Sequence, residues 1–335
     1  MTDTDLQTVP GRDELLRRAH ELLPELAANA GPDPFSIDEG SLQAIRDAGF
    51  LRLSTPRAHG GYEVSLRTLY ELVRILGGAD ASTAWVVGVY SGGGASAAGP
   101  SEREQAELFA DGPDVQMCGS GTAASAVRAV DGGYVVSGRW PSASGSGHAA
   151  WANASILAPD ERRGRRKLSA VVPIDDLARE RTWDAGGMRG AESETLVADE
   201  LFIPEHRLMD SEALESEDYA AHPPAHDGEA RYRAGRSAKL ALGVTVVPLG
   251  AARAALDYAL GEGTTRAWSG TIGEAMERLM TVVGSGAFSE ANPLERRWRD
   301  VSVASRDGAA SYPICREIYG RALLGQDPNI SRLAL

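Results

Sequence analysis

Hydroxyl, imidazole and indole groups gather in two stretches of this chain. GGYVVSGRWPSASGSGHAAW, residues 132–151, holds Trp140, Ser142, Ser144 and His148, and WDAGGMRGAESETLVADELFIPEHRL, residues 183–208, opens on Trp183. Serine hydroxyls and backbone N–H groups set among glycines can bond the polar edge of a bound group without crowding it. The competing reading for Ser142 and Ser144 is ordinary turn chemistry. For Trp183 it is plain packing between sheet and bundle. His148 follows the serine-glycine turn and could face a pocket; a surface or packing role is its alternative. His59, in PRAHGGYE, reads as a turn residue, and His206, in PEHR, as structural at a strand end. Cys118 and Cys315, the only cysteines, are too far apart in sequence to suggest a metal ligand set or a disulfide framework. DERRGRRK, residues 160–167, is basic and reads as a solvated hairpin tip, with phosphate binding as the lesser alternative.

Three blocks position these groups. Residues 1–113 read as a helical domain: Leu15, Ala19, Leu22, Leu23 and Leu26 share one helical face, Ser36 with Glu39 has a capping-box spacing, and Leu66, Leu69, Leu72, Val73 and Leu76 mark another amphipathic helix. Residues 81–89 are apolar on most sides, which predicts a buried helix, and Ser101 with Glu104 caps a short one. Residues 114–210 change period. Runs at 115–119, 126–130, 134–140, 151–157, 167–173 and 195–203 are rich in β-branched and aromatic residues, with Asp131-Gly132 as a hairpin turn. Residues 211–235 read as a polar linker. Residues 236–335 return to helical spacing, with helices over 237–261, 272–283, one opened by Asn292-Pro293-Glu295, and one over 313–324. The fold class is α+β.

The chain has 335 residues, 43% hydrophobic and 24% charged, and a net charge of −13. That acidity is a poor basis for binding nucleic acid, whose phosphates need basic surface. The start, MTDTDLQTVPGRDELL, lacks a basic segment followed by an apolar one, and the longest apolar helical run is interrupted by Gly243, Pro248, Arg253 and Asp257. A soluble, cytoplasmic protein without a membrane span is expected.

The order helices, β-domain, helical bundle resembles the acyl-CoA dehydrogenase fold. STAWVVGV (82–89), GGYVVSGRWPSASG (132–145), GMRGAES (187–193), FIPEHR (202–207), ANPLERRWRDV (291–301) and REIYGRALLG (316–325) occur in that order. Together they resemble the branch of two-component, reduced-flavin-dependent monooxygenases: phenol-type hydroxylases, the dibenzothiophene monooxygenase type, and amine or amino-sugar N-oxygenases. The resemblance covers nearly the whole chain. It implies that FMN or FAD lies beside Trp140, Ser142, Ser144 and Gly145, that Trp183 packs against the flavin, and that Arg266, in GTTRAW, reaches the cofactor's phosphate or a neighbouring subunit. It also implies a dry pocket shaped by the linker and the first bundle helix, and a dimer or tetramer. No GxGxxG nicotinamide motif is present, so a separate flavin reductase is the expected partner.

The chain departs from that pattern at three places. Gly92, Gly93 and Gly94 stand where many members carry a histidine used as a base on the substrate, and Arg306 or Asp307 stands where many carry one near the reactive edge of the flavin. Neither site takes up a proton as a neutral imidazole does near pH 7. Between Trp268 and Ile272 one helix of the usual four-helix bundle and part of the next are lacking, which favours a homodimer over a homotetramer. Three readings follow from the resemblance. The first is a monooxygenase of small aromatic, polycyclic or amine substrates in secondary metabolism, the amine suiting the absent histidines. The second is an acyl-CoA dehydrogenase-like oxidoreductase with Glu290 as its base. The third is a flavin-free scaffold serving as a non-redox enzyme or binding subunit.

Overall fold

The computed structural model describes residues 9–31, 35–96, 101–124, 126–212, 236–261, 272–290, 292–306 and 321. Five helices come first: α1 (Arg12–Asn29), α2 (Glu39–Asp47), α3 (Leu66–Gly77), α4 (Ala81–Ser96) and α5 (Glu102–Leu108). Leu15, Ala19 and Leu26 of α1 are buried at helical spacing. So are Leu69, Leu72, Val73 and Leu76 of α3, whose first turn is capped by Ser65 accepting from Thr68 N. The apolar α4 starts on Asp80, which accepts from Thr83 N at 2.9 Å, and it is buried from Ala81 to Val87. The capping-box expectation at Ser36 is corrected. Asp38 caps α2 by accepting from Ser41 N, because its carboxylate stands immediately before the first helical residue.

Eight strands follow: β1 (Met117–Ala124), β2 (Ala126–Val130), β3 (Gly133–Ala143), β4 (Trp151–Asp160), β5 (Gly164–Pro173), β6 (Ala178–Glu180), β7 (Glu194–Pro204) and β8 (Leu208–Asp210). They form two four-stranded sheets, ordered β1-β4-β5-β8 and β2-β3-β7-β6. Among the described residues only the β1–β4 pairing is parallel. Asp131-Gly132 turns the β2–β3 hairpin, with Gly132 at φ 75°. The basic 160–167 segment is the tip of the β4–β5 hairpin, where Asp160 accepts from Arg162 N and Arg163 N. The short β6 and β8 carry too few residues to show a period of two, and the pattern of the sequence misses them.

Register along β3 and β7 shifts twice. Between Trp140 and Ala143 the β3 chain advances three residues while β7 advances two, from Leu196 to Glu194. The extra residue is a β-bulge, and Ser142 in it has φ 59°. Trp140 lies beneath the bulge, 1% exposed, and its Nε1 donates across to Ser155 O of β4 in the other sheet at 2.8 Å.

After the sheets come the helices Arg236–Gly261, Ile272–Val283 and Pro293–Ala304. The last is capped by Asn292, which accepts from Leu294 N, with Pro293 in its first turn. The Arg236–Gly261 helix packs against α3 and α4, and the Pro293–Ala304 helix against it, against Ile272–Val283 and against α4. One continuous core runs from α1 through both sheets to Val301 and Ala304. No described helix is long and apolar enough to cross a membrane. Arg266, Asp307, the 211–235 linker beyond Glu212, the expected gap at 268–272 and the helix expected over 313–324 lie outside the described residues.

Candidate functional site

Backbone strain marks the candidate site. Among the described residues, five that are not glycine have positive φ: Glu63, Ser142, Met188, Glu192 and Glu200. A left-handed conformation costs a residue with a Cβ about 1–2 kcal/mol, and such residues gather where the surroundings hold them for a purpose. Three of the five lie in two turns that touch. One is the bulge and turn of residues 142–148. The other is residues 188–193, where Met188 and Glu192 flank a single 3-10 turn of Arg189–Ala191.

Neutral hydrogen bonds dock the first turn on both the second turn and α4. Gly145 N donates to Ala191 O at 2.7 Å. Ser146 Oγ donates to Glu192 O at 2.9 Å, and the hydroxyls of Ser144 and Ser193 are paired at 2.8 Å. From α4, Trp85 Nε1 donates to Ser144 Oγ at 3.1 Å and Tyr90 Oη donates to Gly145 O at 2.6 Å. Burial raises the Tyr90 phenol well above its ordinary value, with Cys118 and Glu192 adding to the shift. Trp85, Tyr90 and Ser193 were not singled out in the sequence. The signal of Trp85 and Tyr90 is faint, because α4 is apolar all round and only the fold decides which of its residues face the turn, and Ser193 reads as one more serine of the second motif.

Charged groups hold the second turn from the other side. Met188 N donates to Asp300 Oδ1 at 2.8 Å. Gly187 lets the Pro293–Ala304 helix approach this closely, since a Cβ there would stand 2.5 Å from Arg299 O. Asp300 is buried beside Arg296, whose Nε lies 3.7 Å from Oδ2. Arg296 also pairs with the buried Asp80 and donates to Gly31 O at 2.8 Å. Burial pushes the Asp300 carboxyl up to about 6, against the lowering pull of the Met188 N–H and Arg296. The buried Glu194 accepts from Thr182 N at 2.5 Å and Trp183 N at 3.0 Å, which fixes the approach to the second turn.

The predicted residues fall at different depths of this assembly. Ser142 is exposed at the bulge, and its carbonyl accepts from Ser144 N at 3.0 Å. Ser144 is buried, its hydroxyl taken up by Trp85 and Ser193. Trp183 is half-buried, its Nε1 fixed to Met188 O at 2.9 Å. Trp140 is wholly interior, which leaves it a supporting part under the bulge. His148 is half-buried, 3.2 Å from Glu192 and 3.7 Å from Glu39. Glu290 is exposed in the turn before the Pro293–Ala304 helix. His206 bonds Glu107 at 3.0 Å, away from both turns, and His59 stacks on Phe109 at 4.2 Å. A cavity of about 690 Å³ beside α1 and α2, and one of about 530 Å³ beside Arg103, Glu107 and Arg207, are lined by none of the turn residues.

Three groups on or beside the two turns are open to solvent at least in part. Ser142 is exposed, Trp183 is half-buried, and Gly186 is exposed, with its carbonyl accepting from Arg299 Nη1 at 3.1 Å and room for a Cβ that would meet nothing within 4 Å. Ser144, Ser193 and Trp85 behind Ser142 are locked by their own bonds, as a preformed site requires.

Known proteins agree with this architecture. The family described as acyl-CoA dehydrogenase, C-terminal domain, matches residues 262–310. The FADH(2)-dependent resorcinol hydroxylase, oxygenase component, of Rhizobium sp. (strain MTP-10005) is 36% identical over 174 residues, covering 52% of this chain and 42% of that protein. The flavin-dependent monooxygenase, oxygenase subunit HsaA, of Rhodococcus jostii (strain RHA1) is 31% identical over 201 residues, covering 59% of this chain and 53% of its own. The chain thus spans about half the length of these curated relatives. The structure of XiaF from Streptomyces sp., in complex with FADH2 and glycerol, superposes with a TM-score of 0.86 at 25% identity, covering 95% of this chain and 96% of that one.

Proposed function

We propose that this chain, which belongs to the acyl-CoA dehydrogenase superfamily, is the oxygenase component of a two-component monooxygenase. It takes reduced flavin from a separate reductase and, with molecular oxygen, hydroxylates or N-oxygenates a small aromatic, polycyclic or amine substrate. The observation that carries this reading is the pair of strained, mutually bonded turns, 142–148 and 188–193, clamped between α4 and the Pro293–Ala304 helix. Relatives that are oxygenase components, and a structural neighbour holding FADH2, support it. FAD is therefore the first cofactor to test and FMN the second.

A bound reduced flavin supplies the electrons that activate oxygen. The protein's work is to hold it and keep water away. The Ser142 hydroxyl and the Gly186 backbone would meet its polar edge, and Trp183 would cover part of its plane. Ser144 stays engaged with Trp85 and Ser193, so it keeps the turn in place from behind, as Trp140 does from below. Arg266 is proposed to reach the cofactor's phosphate. The apolar side chains of Leu249, Leu256 and Tyr258 on the Arg236–Gly261 helix, of Val282 at the end of the Ile272–Val283 helix and of Phe288 in the turn after it are exposed and support a homodimer through the bundle. Glu290, exposed in its turn, supports a solvated role over that of an α-proton base.

The test is anaerobic titration of the full chain with reduced FAD and with reduced FMN, followed by thermal unfolding. A ligand that binds only the native state, present at a hundred times its Kd, stabilises by about 2.7 kcal/mol and raises Tm. Oxygen is then admitted with resorcinol as the first probe substrate, and incorporation of labelled oxygen is measured. No shift with either reduced flavin sinks the proposal.

A further inference from the structure

Glu192 is the least expected residue of the second turn. It has φ 43° and ψ 52°, a conformation disfavoured for any residue with a Cβ, and nothing about closing the turn demands a carboxylate there. Its backbone is pinned, since its carbonyl accepts from Ser146 Oγ at 2.9 Å. Its carboxylate is folded back over Gly147, where a Cβ would lie 2.0 Å from Oε2. The carboxylate thus fills the space that a side chain at position 147 would take. It faces His148, whose Nε2 is 3.2 Å from Oε2. The two atoms are inaccessible to solvent. On the other side of the ring, Nδ1 is 3.7 Å from Oε1 of Glu39, whose side chain is 85% exposed at the start of α2. One imidazole therefore stands between a half-buried carboxylate at the strained turn and a carboxylate in water.

We propose that Glu39, His148 and Glu192 form a proton relay from solvent to the inner side of the 142–148 turn. The proposal rests on the monooxygenase reading above. In that reaction one oxygen atom enters the substrate and the other leaves as water. With the reduced flavin entering as its monoanion, the balance of substrate, oxygen and flavin takes one proton from outside per turnover. His148 suits this traffic because an imidazole changes charge near neutral pH. Glu192 raises its affinity for a proton, Glu39 adds to that, and burial and Arg179 of β6 work against it. The remaining groups nearby are Tyr90 of α4 and Cys118 of β1. Burial pushes the phenol well above its ordinary value and the thiol up to about 12, so both stay neutral in the working range.

Two measurements on the full chain test the relay. The first needs no flavin: the His148 ring is titrated by NMR in the wild type, Glu192→Gln and Glu39→Gln. A titration midpoint above 6.5 is expected in the wild type, lowered by about one unit, a tenfold change in proton affinity, in E192Q and by less in E39Q. An unmoved midpoint in E192Q overturns the pair. The second follows reoxidation of bound reduced FAD by oxygen from pH 5 to 9. The relay requires an inflection at the His148 midpoint that moves with it in E192Q and disappears in His148→Gln, with unchanged affinity for reduced FAD. A profile that does not move leaves His148 and Glu192 a structural ion pair and overturns the relay. Absence of FAD binding refutes the monooxygenase reading and the relay together, while the NMR titration still decides whether the pair is coupled.

Discussion

Ser144 and Asp300 both tie the 188–193 turn to a distant part of the chain, the first with a hydroxyl and the second with a buried carboxylate. On the Ser144 side every partner is neutral: Trp85 Nε1, Ser193 Oγ, Gly145 N with Ala191 O, and Tyr90 Oη with Gly145 O. Nothing in that set changes charge between pH 5 and 8. On the Asp300 side the turn is held by a carboxylate whose proton affinity burial has raised, next to the pair of buried Asp80 with half-buried Arg296. The same turn thus has one anchor indifferent to pH and one that depends on it. The neutral anchor is internal to the strand side of the site. The charged one joins that side to the C-terminal helices.

Breaking the charged anchor has the largest expected effect. Arg296→Met leaves Asp80 and Asp300 buried without their cation, and removing one partner of a buried ion pair costs about 3–5 kcal/mol. Urea unfolding at pH 7 measures it; a loss under about 1 kcal/mol erases the distinction between the two anchors.

Asp300→Asn tests the pH dependence. The folded carboxyl titrates at about 6 against an ordinary value of 3.8, so the folded chain holds its proton more tightly than the unfolded chain. Stability from this group is therefore fully present below about pH 4 and is lost as pH rises through 6, by up to about 3 kcal/mol. The asparagine oxygen still accepts from Met188 N, and the slope between pH 4 and 6 should flatten. An unchanged slope assigns the pH dependence to another group.

Ser144→Ala strikes the neutral anchor. Trp85 Nε1 and the Ser193 hydroxyl lose a partner in a buried place, at a cost of about 1–3 kcal/mol. The loss should be equal at pH 5 and pH 8, which calorimetry at the two values checks. The smallest effect is expected from Ser142→Gly. Glycine relieves the positive φ and should stabilise by about 0.5–1 kcal/mol. Loss of one hydroxyl bond should weaken reduced FAD by a factor of about 2–12. A variant that gains stability and keeps full affinity removes Ser142 from the binding edge.

Much of the scaffold was legible because its signals are local. The Ser101 cap, the Asn292-Pro293 start, the Asp131-Gly132 hairpin and the long strands each declare themselves within a few residues. The Asp38 cap was missed because two good capping residues stand within three positions, and only backbone geometry chooses between them. The site was legible in part. Ser142, Ser144, Trp183 and His148 stand in the two turn motifs, but their depths differ in ways their spacing does not show. A bulge between Trp140 and Ala143 sends Trp140 inward and leaves Ser142 outside. Asp300 meets Met188 across 112 positions, and Arg296 meets Asp80 across 216. No pattern of hydrophobicity encodes such pairs, since they depend on how whole helices dock.

The sequence alone determined that a β-region sits between helical regions and that two serine- and glycine-rich turns interrupt its strands. Those features follow from residue periodicity and turn propensity, which act over a few residues. The tertiary structure decided which hydroxyl is offered and which is consumed, which carboxylate is buried next to an arginine, and that Glu192 lies over Gly147 against His148. Burial and charge proximity are properties of assembled surfaces, and they come into being only when α4, the sheets and the Pro293–Ala304 helix close on the same pair of turns.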